Sequence, residues 1–131
     1  MSNPKVLIID DEEMSLFLLE MILVDEGISR IDKAMNGMEA LEMYKDALCD
    51  TPYNTVFLDI QLPIMNGLEV LKRMRAAADE ADCQTTIIMA TGDSSIATIQ
   101  KSMFDLDADD HIGKPYNRDE IHEALVKHGV I

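Results

Sequence analysis

The sequence predicts an α/β fold, a doubly wound parallel sheet of five strands with five helices. One pattern leads to it. Apolar runs of strand length alternate with stretches of helical period along the whole chain. That alternation, at this spacing, suits parallel strands joined by right-handed helical crossovers, which place helices on both faces.

Lys5-Val-Leu-Ile-Ile9 is a continuous apolar run, and Asp10-Asp11-Glu12-Glu13 follows at once. A buried strand ends there and an acidic helix start begins, with acids suited to the first turn of the dipole. Met14, Phe17, Leu18, Met21 and Ile22 recur at helical spacing and predict the buried stripe of the first helix, which Gly27 ends. Residues 29–34 alternate weakly and carry charge, as an edge strand does, and Asn36-Gly37 is its turn. Ala40, Met43, Tyr44, Ala47 and Leu48 form the stripe of a second helix, with Thr51-Pro52 as connector. Val56, Phe57 and Leu58 make a short buried strand ending at Asp59; Pro63 then stops strand pairing and Asn66-Gly67 signals a helix start. Gly67, Val70, Leu71 and Met74 line the third helix, and 76–82 reads as a short polar link. Residues 85–91 form an apolar strand ending in the hydroxyl of Thr91, and Gly92-Asp93-Ser94 turns the chain. Ile96, Ile99, Met103 and Phe104 mark a fourth helix, 109–113 a short fifth strand, and Ile121, Ala124 and Leu125 a fifth helix.

Strand composition then orders the sheet. The first, third and fourth strands are continuously apolar and belong in the centre. The second and fifth are polar or short and belong at the edges. The order 2-1-3-4-5, the flavodoxin-like arrangement, satisfies both conditions and puts a ligand site at the C-terminal strand ends, beside the switch between strands one and three.

At 131 residues the chain fits one domain, 1–131, and an apolar fraction of 47% supplies a packed core. No apolar run approaches the ~20 residues that span a bilayer, and the start shows no signal or transit segment. The expectation is a cytoplasmic protein away from the membrane, and the Met1-Ser2 start favours a whole protein over an excised piece. The net charge of −14 repels phosphate backbones, which argues against nucleic-acid binding. Cys49 and Cys83 are far apart and outside any metal spacing, so reduced thiols are expected. The ten methionines read as adaptable core filler.

The strand ends bring together Asp10 and Asp11, Asp59, Thr91 and Lys114. Two carboxylates ~4 Å apart repel by roughly 4 kcal/mol at an effective dielectric near 20. A raised pKa or a cation relieves this. Lys114 gives one positive charge, and a hard divalent ion gives the rest. Oxygen donors without a nearby imidazole or thiolate favour Mg²⁺ or Mn²⁺ over Zn²⁺. An ion and a lysine together accept a dianionic phosphoryl group, which Asp59 can attack as a carboxylate nucleophile. Thr91 and Lys114 can bond its oxygens. Each residue alone has a plainer reading: helix capping for Asp10 and Asp11, a strand-end turn for Asp59, a turn hydroxyl for Thr91, a solvated cation for Lys114. Their joint appearance at one sheet edge favours the site.

The acidic pair in Ile9-Asp10-Asp11-Glu12, the run Leu58-Asp59-Ile-Gln-Leu-Pro63 with Met65-Asn66-Gly67, the pair Ala90-Thr91, and Asp109-Asp110 ahead of Lys114-Pro115 all occur in order. Over residues 5–129 the chain resembles a response-regulator receiver domain, close to the stand-alone chemotaxis type. The strand order belongs to that family too, so it is not independent support. The resemblance implies that Asp59 is the phosphoacceptor. It implies that Asp11, Asp59 and the Gln61 backbone carbonyl ligate Mg²⁺, with Asp10 acting mainly through a metal-bound water. It further implies that Thr91 and Lys114 bind the phosphoryl group, that the Lys114–Pro115 peptide is cis, and that Gln61 and Asp93 set the dephosphorylation rate. His111 stands where the family carries a switch Tyr or Phe; a switching imidazole and a plain edge-strand histidine both remain open. Asp107 stands where the family often has Gly, and a left-handed helix cap accounts for it.

The expected function is a phosphorylation-controlled binding module. It takes its phosphoryl group from a histidine kinase or a histidine phosphotransfer protein. Its face of fourth helix, fifth strand and fifth helix then engages a downstream protein or passes the group along a phosphorelay. Two other classes fit the residues less well. A haloacid-dehalogenase-type phosphatase wants Asp-x-Asp at its nucleophile, and Gln61 fills the second position here. A constitutive scaffold would not need the full set of strand-end residues. No turnover of an external substrate is expected.

Overall fold

The computed structural model describes residues 3–92 and 106–131. Five parallel strands form one sheet: β1 (Lys5–Ile9), β2 (Arg30–Ala34), β3 (Thr55–Asp59), β4 (Thr86–Thr91) and β5 (Asp110–Gly113), in the order β2-β1-β3-β4-β5. The described helices are α1 (Glu13–Asp25), α2 (Gly37–Leu48), α3 (Gly67–Glu80) and α4 (Arg118–Lys127). The helix expected from Ile96, Ile99, Met103 and Phe104 lies outside the described residues, as does Asp93.

Because side chains alternate across a strand, the sheet divides its core in two. Leu7, Ile9, Val56, Leu58, Ile87 and Met89 face α2 and α3. Val6, Ile8, Phe57, Ile88 and Ala90 face α1 and α4. β1, β3 and β4 are buried on both faces, which is why their sequences are apolar without interruption. β2 keeps Arg30 and Lys33 exposed at the edge, where charge discourages pairing with another chain.

Helix starts follow the asparagines. Asn36, Asn66 and Asn117 cap α2, α3 and α4, each side chain accepting the N–H three residues on, from Glu39, Glu69 and Glu120 at 2.8, 3.1 and 3.1 Å. α1 ends in a Schellman turn: Gly27 N–H donates to Val24 O at 3.0 Å and Ile28 N–H to Leu23 O at 3.0 Å, with Gly27 at φ 93°.

Two expectations are corrected. The buried stripe of α1 is Leu16, Leu19, Ile22 and Leu23; Met14, Phe17, Leu18 and Met21 are exposed. The helix is apolar on every side, so spacing alone fits more than one face, and the sheet takes the branched Leu and Ile. The segment 76–82 is not a polar link, because α3 runs on to Glu80 and buries Ala78. Three consecutive alanines are strong helix formers, and their small side chains let the last turn lie close to the sheet.

Candidate functional site

β1 and β3 deliver Asp10 and Asp59 to the C-terminal rim of the sheet, where both are almost fully buried. Asp11 is exposed beside them. One carboxylate oxygen from each of the three lies within 4.8 Å of the others. The Lys114 side chain reaches in from the end of β5. Its Nζ donates to Asp10 Oδ2 at 2.8 Å, to Asp59 Oδ2 at 3.2 Å and to Glu12 Oε1 at 3.5 Å. Thr91, at the end of β4, is buried on the same rim, and its carbonyl accepts the Lys114 N–H at 3.0 Å. The Lys114–Pro115 peptide is cis.

The turn after β3 fixes Asp59 from below. Gln61 N–H donates to Asp59 Oδ1 at 3.1 Å, and Gly67 N–H donates to Ile60 O at 2.7 Å. A Cβ on Gly67 would overlap the Asp59 carbonyl oxygen and come within 2.6 Å of Ile60 Cα, so only glycine lets α3 start this close to the strand. Ile64 takes the left-handed region at φ 67°, with Met65 N–H bonded to Pro63 O at 2.7 Å, a tight γ-turn. For a β-branched residue this backbone is strained, and its side chain is 97% exposed.

The electrostatics follow from burial. Removal from water and the nearby charge of Asp10 push the Asp59 carboxyl up to about 6, against the opposing pull of the Gln61 N–H and Lys114. Burial disfavours the Lys114 charge, but its hydrogen bond to Asp10 and the charges of Asp59 and Asp10 outweigh burial and raise its pKa. The rim thus gathers more negative charge than its lysine offsets, and all its donors are hard oxygens. This donor set fits a divalent cation of the Mg²⁺ class.

Sequence reasoning did not single out two residues that touch the site. The Tyr116 hydroxyl donates to Asp10 Oδ2 at 3.4 Å, and burial followed by the charges of Asp10 and Asp59 pushes its pKa far up. Glu12 meets Lys114 from the opposite side, and its N–H donates to Asp10 Oδ1 at 3.0 Å. Adjacency to Lys114-Pro115 and to the acidic pair was the available signal for both. The capping reading of Asp10 and Asp11 does not describe α1, whose N-cap is Glu12, without a side-chain cap.

The remaining expected residues are less central. His111 lies on β5 paired in register with Met89, half-buried, and burial lowers its pKa although Asp110 opposes the shift. Asp107 is left-handed at φ 64°, and its carbonyl accepts Arg75 Nε–H at 2.8 Å; the helix it was expected to cap lies outside the described residues. Cys49 and Cys83 are both free thiols. No helix among the described residues is long and apolar enough to cross a membrane.

Beside the rim, at the start of α1, lies a groove of about 960 Å³ lined by Met14, Phe17, Lys33, Met35 and Glu39. Met14, Phe17 and Met38 are 77%, 57% and 59% exposed, an unusual concentration of large apolar side chains next to an acidic pocket.

Comparison with known proteins agrees with this architecture. Sporulation initiation phosphotransferase F of Bacillus subtilis is 34% identical over 128 residues, covering 98% of this chain and 95% of that protein. Hybrid signal transduction histidine kinase L of Dictyostelium discoideum is 33% identical over 125 residues, 95% of this chain but 7% of the kinase. The chain spans about half the length, or less, of several curated relatives that it matches. Among solved structures, a chain of the CheX-CheY-BeF3-Mg²⁺ complex of Borrelia burgdorferi superimposes with a TM-score of 0.86 at 26% identity, covering 98% of this chain and 90% of that one. The response regulator receiver domain model matches residues 6–126. Since that match takes in every strand and every described helix apart from Lys5 of β1 and Lys127 of α4, the chain belongs to the response regulator receiver domains of two-component signalling.

Proposed function

We propose that this receiver accepts a phosphoryl group on Asp59 from a histidine kinase or a histidine phosphotransfer protein, and that the aspartyl phosphate alters its affinity for a protein partner. The observation that carries the reading is the buried Asp59 carboxylate, grouped with Asp10 and Asp11 and bridged to Asp10 by Lys114. A carboxylate this crowded and this dry has no structural need to be ionised, and an aliphatic residue would pack there without electrostatic strain.

In the transfer, an Asp59 oxygen forms a P–O bond while the P–N bond of a phosphohistidine breaks. The imidazole leaves with the bonding electron pair and takes up a proton. Asp10, Asp11, Asp59 and the Gln61 carbonyl would hold Mg²⁺, with Mn²⁺ as a substitute. When bound, the ion supplies neutralisation of the phosphoryl oxygens. Lys114, held on the rim between Asp10 and Asp59, is within reach of a phosphoryl group on Asp59. The Thr91 hydroxyl offers a second donor at the end of β4, and Gln61, exposed at the mouth, together with Asp93 governs access of the attacking water. The exposed apolar start of α1 supports docking of a protein donor, since any donor must place its histidine over this rim. Output runs through the face of β5 and α4, together with the fourth helix expected from the sequence, which lies outside the described residues, with His111 as the switch position. Self-phosphorylation and autodephosphorylation are the chemistry expected, in the cytoplasm, without turnover of an external substrate.

The test is Mg²⁺-dependent labelling by acetyl phosphate, read by intact-mass spectrometry. Wild-type protein gains about 80 Da, one phosphoryl unit, and Asp59→Asn gains none. Labelling that survives this substitution refutes the assignment.

A further inference from the structure

The Tyr116 hydroxyl and the Lys114 ammonium share one oxygen, Asp10 Oδ2, at 3.4 and 2.8 Å. The longer distance is weak for an O–H···O bond, because the ammonium holds the closer place. That ammonium is also 3.2 Å from Asp59 Oδ2. Asp10 is 1% exposed, and its other oxygen is already taken by Glu12 N–H at 3.0 Å. A carboxylate so deeply buried cannot give up its ammonium without another donor. The Tyr116 ring is set for that place, since it packs against the core between the sheet and helices α1 and α4.

We propose that Tyr116 is a positioning residue for Asp10, its hydroxyl taking over Oδ2 when Lys114 is drawn to a phosphoryl group on Asp59. The hydroxyl is a reserve donor: nearly idle while Lys114 bridges the two carboxylates, and closed onto Asp10 once Lys114 has moved. Asp10 then keeps its orientation toward the metal throughout phosphorylation. The inference rests on the reading of Asp59 as phosphoacceptor.

Tyr116→Phe removes the hydroxyl and keeps the ring. The full chain and this variant are titrated with Mg²⁺ alone, and then with beryllofluoride in saturating Mg²⁺ as the phosphoryl mimic. The chain has three tyrosines and no tryptophan, so tyrosine emission reports directly. A phenol hydrogen-bonded to a carboxylate is quenched. The expected result is unchanged Mg²⁺ affinity and about tenfold weaker beryllofluoride binding in the variant, the loss that follows when a buried charged acceptor lacks a donor. Beryllofluoride should also quench emission in the wild type and not in Tyr116→Phe. Equal affinity and equal quenching in the two proteins overturn the proposal. So does a variant that loses Mg²⁺ and beryllofluoride binding alike together with thermal stability, because that is a packing role. Wild-type protein that binds Mg²⁺ but no beryllofluoride overturns the Asp59 reading itself, and this inference with it.

Discussion

Asp59 is the residue where folding and chemistry pull in opposite directions. Its carboxyl titrates at about 6 in the folded protein, against about 3.9 for an unfolded aspartate. Between those values the native state keeps a proton that the unfolded chain has released, so stability falls as pH rises through that window and stays reduced above it. Asp59→Asn should therefore raise the melting temperature of the metal-free protein at pH 7.5 and have little effect near pH 4. The same proton competes with metal, so Mg²⁺ affinity measured by calorimetry should drop as pH falls below about 6. Lys114 gives the complementary result. Lys114→Ala leaves Asp10 and Asp59 buried without their cation and should cost about 3–5 kcal/mol in urea unfolding, part of it restored by Mg²⁺. At this scale the sequence was informative: Asp10, Asp11, Asp59, Thr91 and Lys114 all reach one rim, because strand ends in a parallel sheet share an edge. Tyr116 was not legible, since its contact with Asp10 depends on how the chain turns after Pro115.

α1 shows what periodicity can and cannot specify. A helix with Leu, Ile, Met, Phe and Val on every side has no unique stripe, and the face that the sheet selects left Phe17 and Met14 in solvent. Leu19→Ala should cost about 2–5 kcal/mol by opening the core, whereas Phe17→Ser should stay within about 0.5 kcal/mol. Phosphoryl uptake separates the roles further. Phe17→Ser should slow transfer from a protein phosphodonor and leave labelling by acetyl phosphate unchanged; equal slowing of both would remove α1 from donor docking. Of the asparagine caps, Asn66 was legible as a helix start, whereas Asn36-Gly37 reads as the turn of the second strand and Asn117 has no glycine after it to mark the start of α4. Gly67 carries more than a cap. Gly67→Ala would drive a methyl group into the backbone of Asp59 and Ile60, and both stability and phosphorylation should fall.

For the molecule as a whole, the sheet order followed from which strands could be buried on both faces, and that is why the topology was legible while helix faces and ends were not. The net charge of −14 acts on the same scale. Self-repulsion disfavours the compact state, so the melting temperature should rise between 10 and 300 mM salt, concentrations on either side of a Debye length of about 10 Å. The lysine that spans Asp10 and Asp59 has one more consequence. The three carboxylates of Asp10, Asp11 and Asp59 set against one ammonium leave a formal deficit of two elementary charges on a rim where Asp10 and Asp59 are buried and Asp11 is exposed. Electroneutrality then selects by valence: sodium leaves the rim underfilled, a lanthanide overfills it, and a dication closes it. Sodium at equal concentration should accordingly fail to support labelling by acetyl phosphate, whereas magnesium should support it.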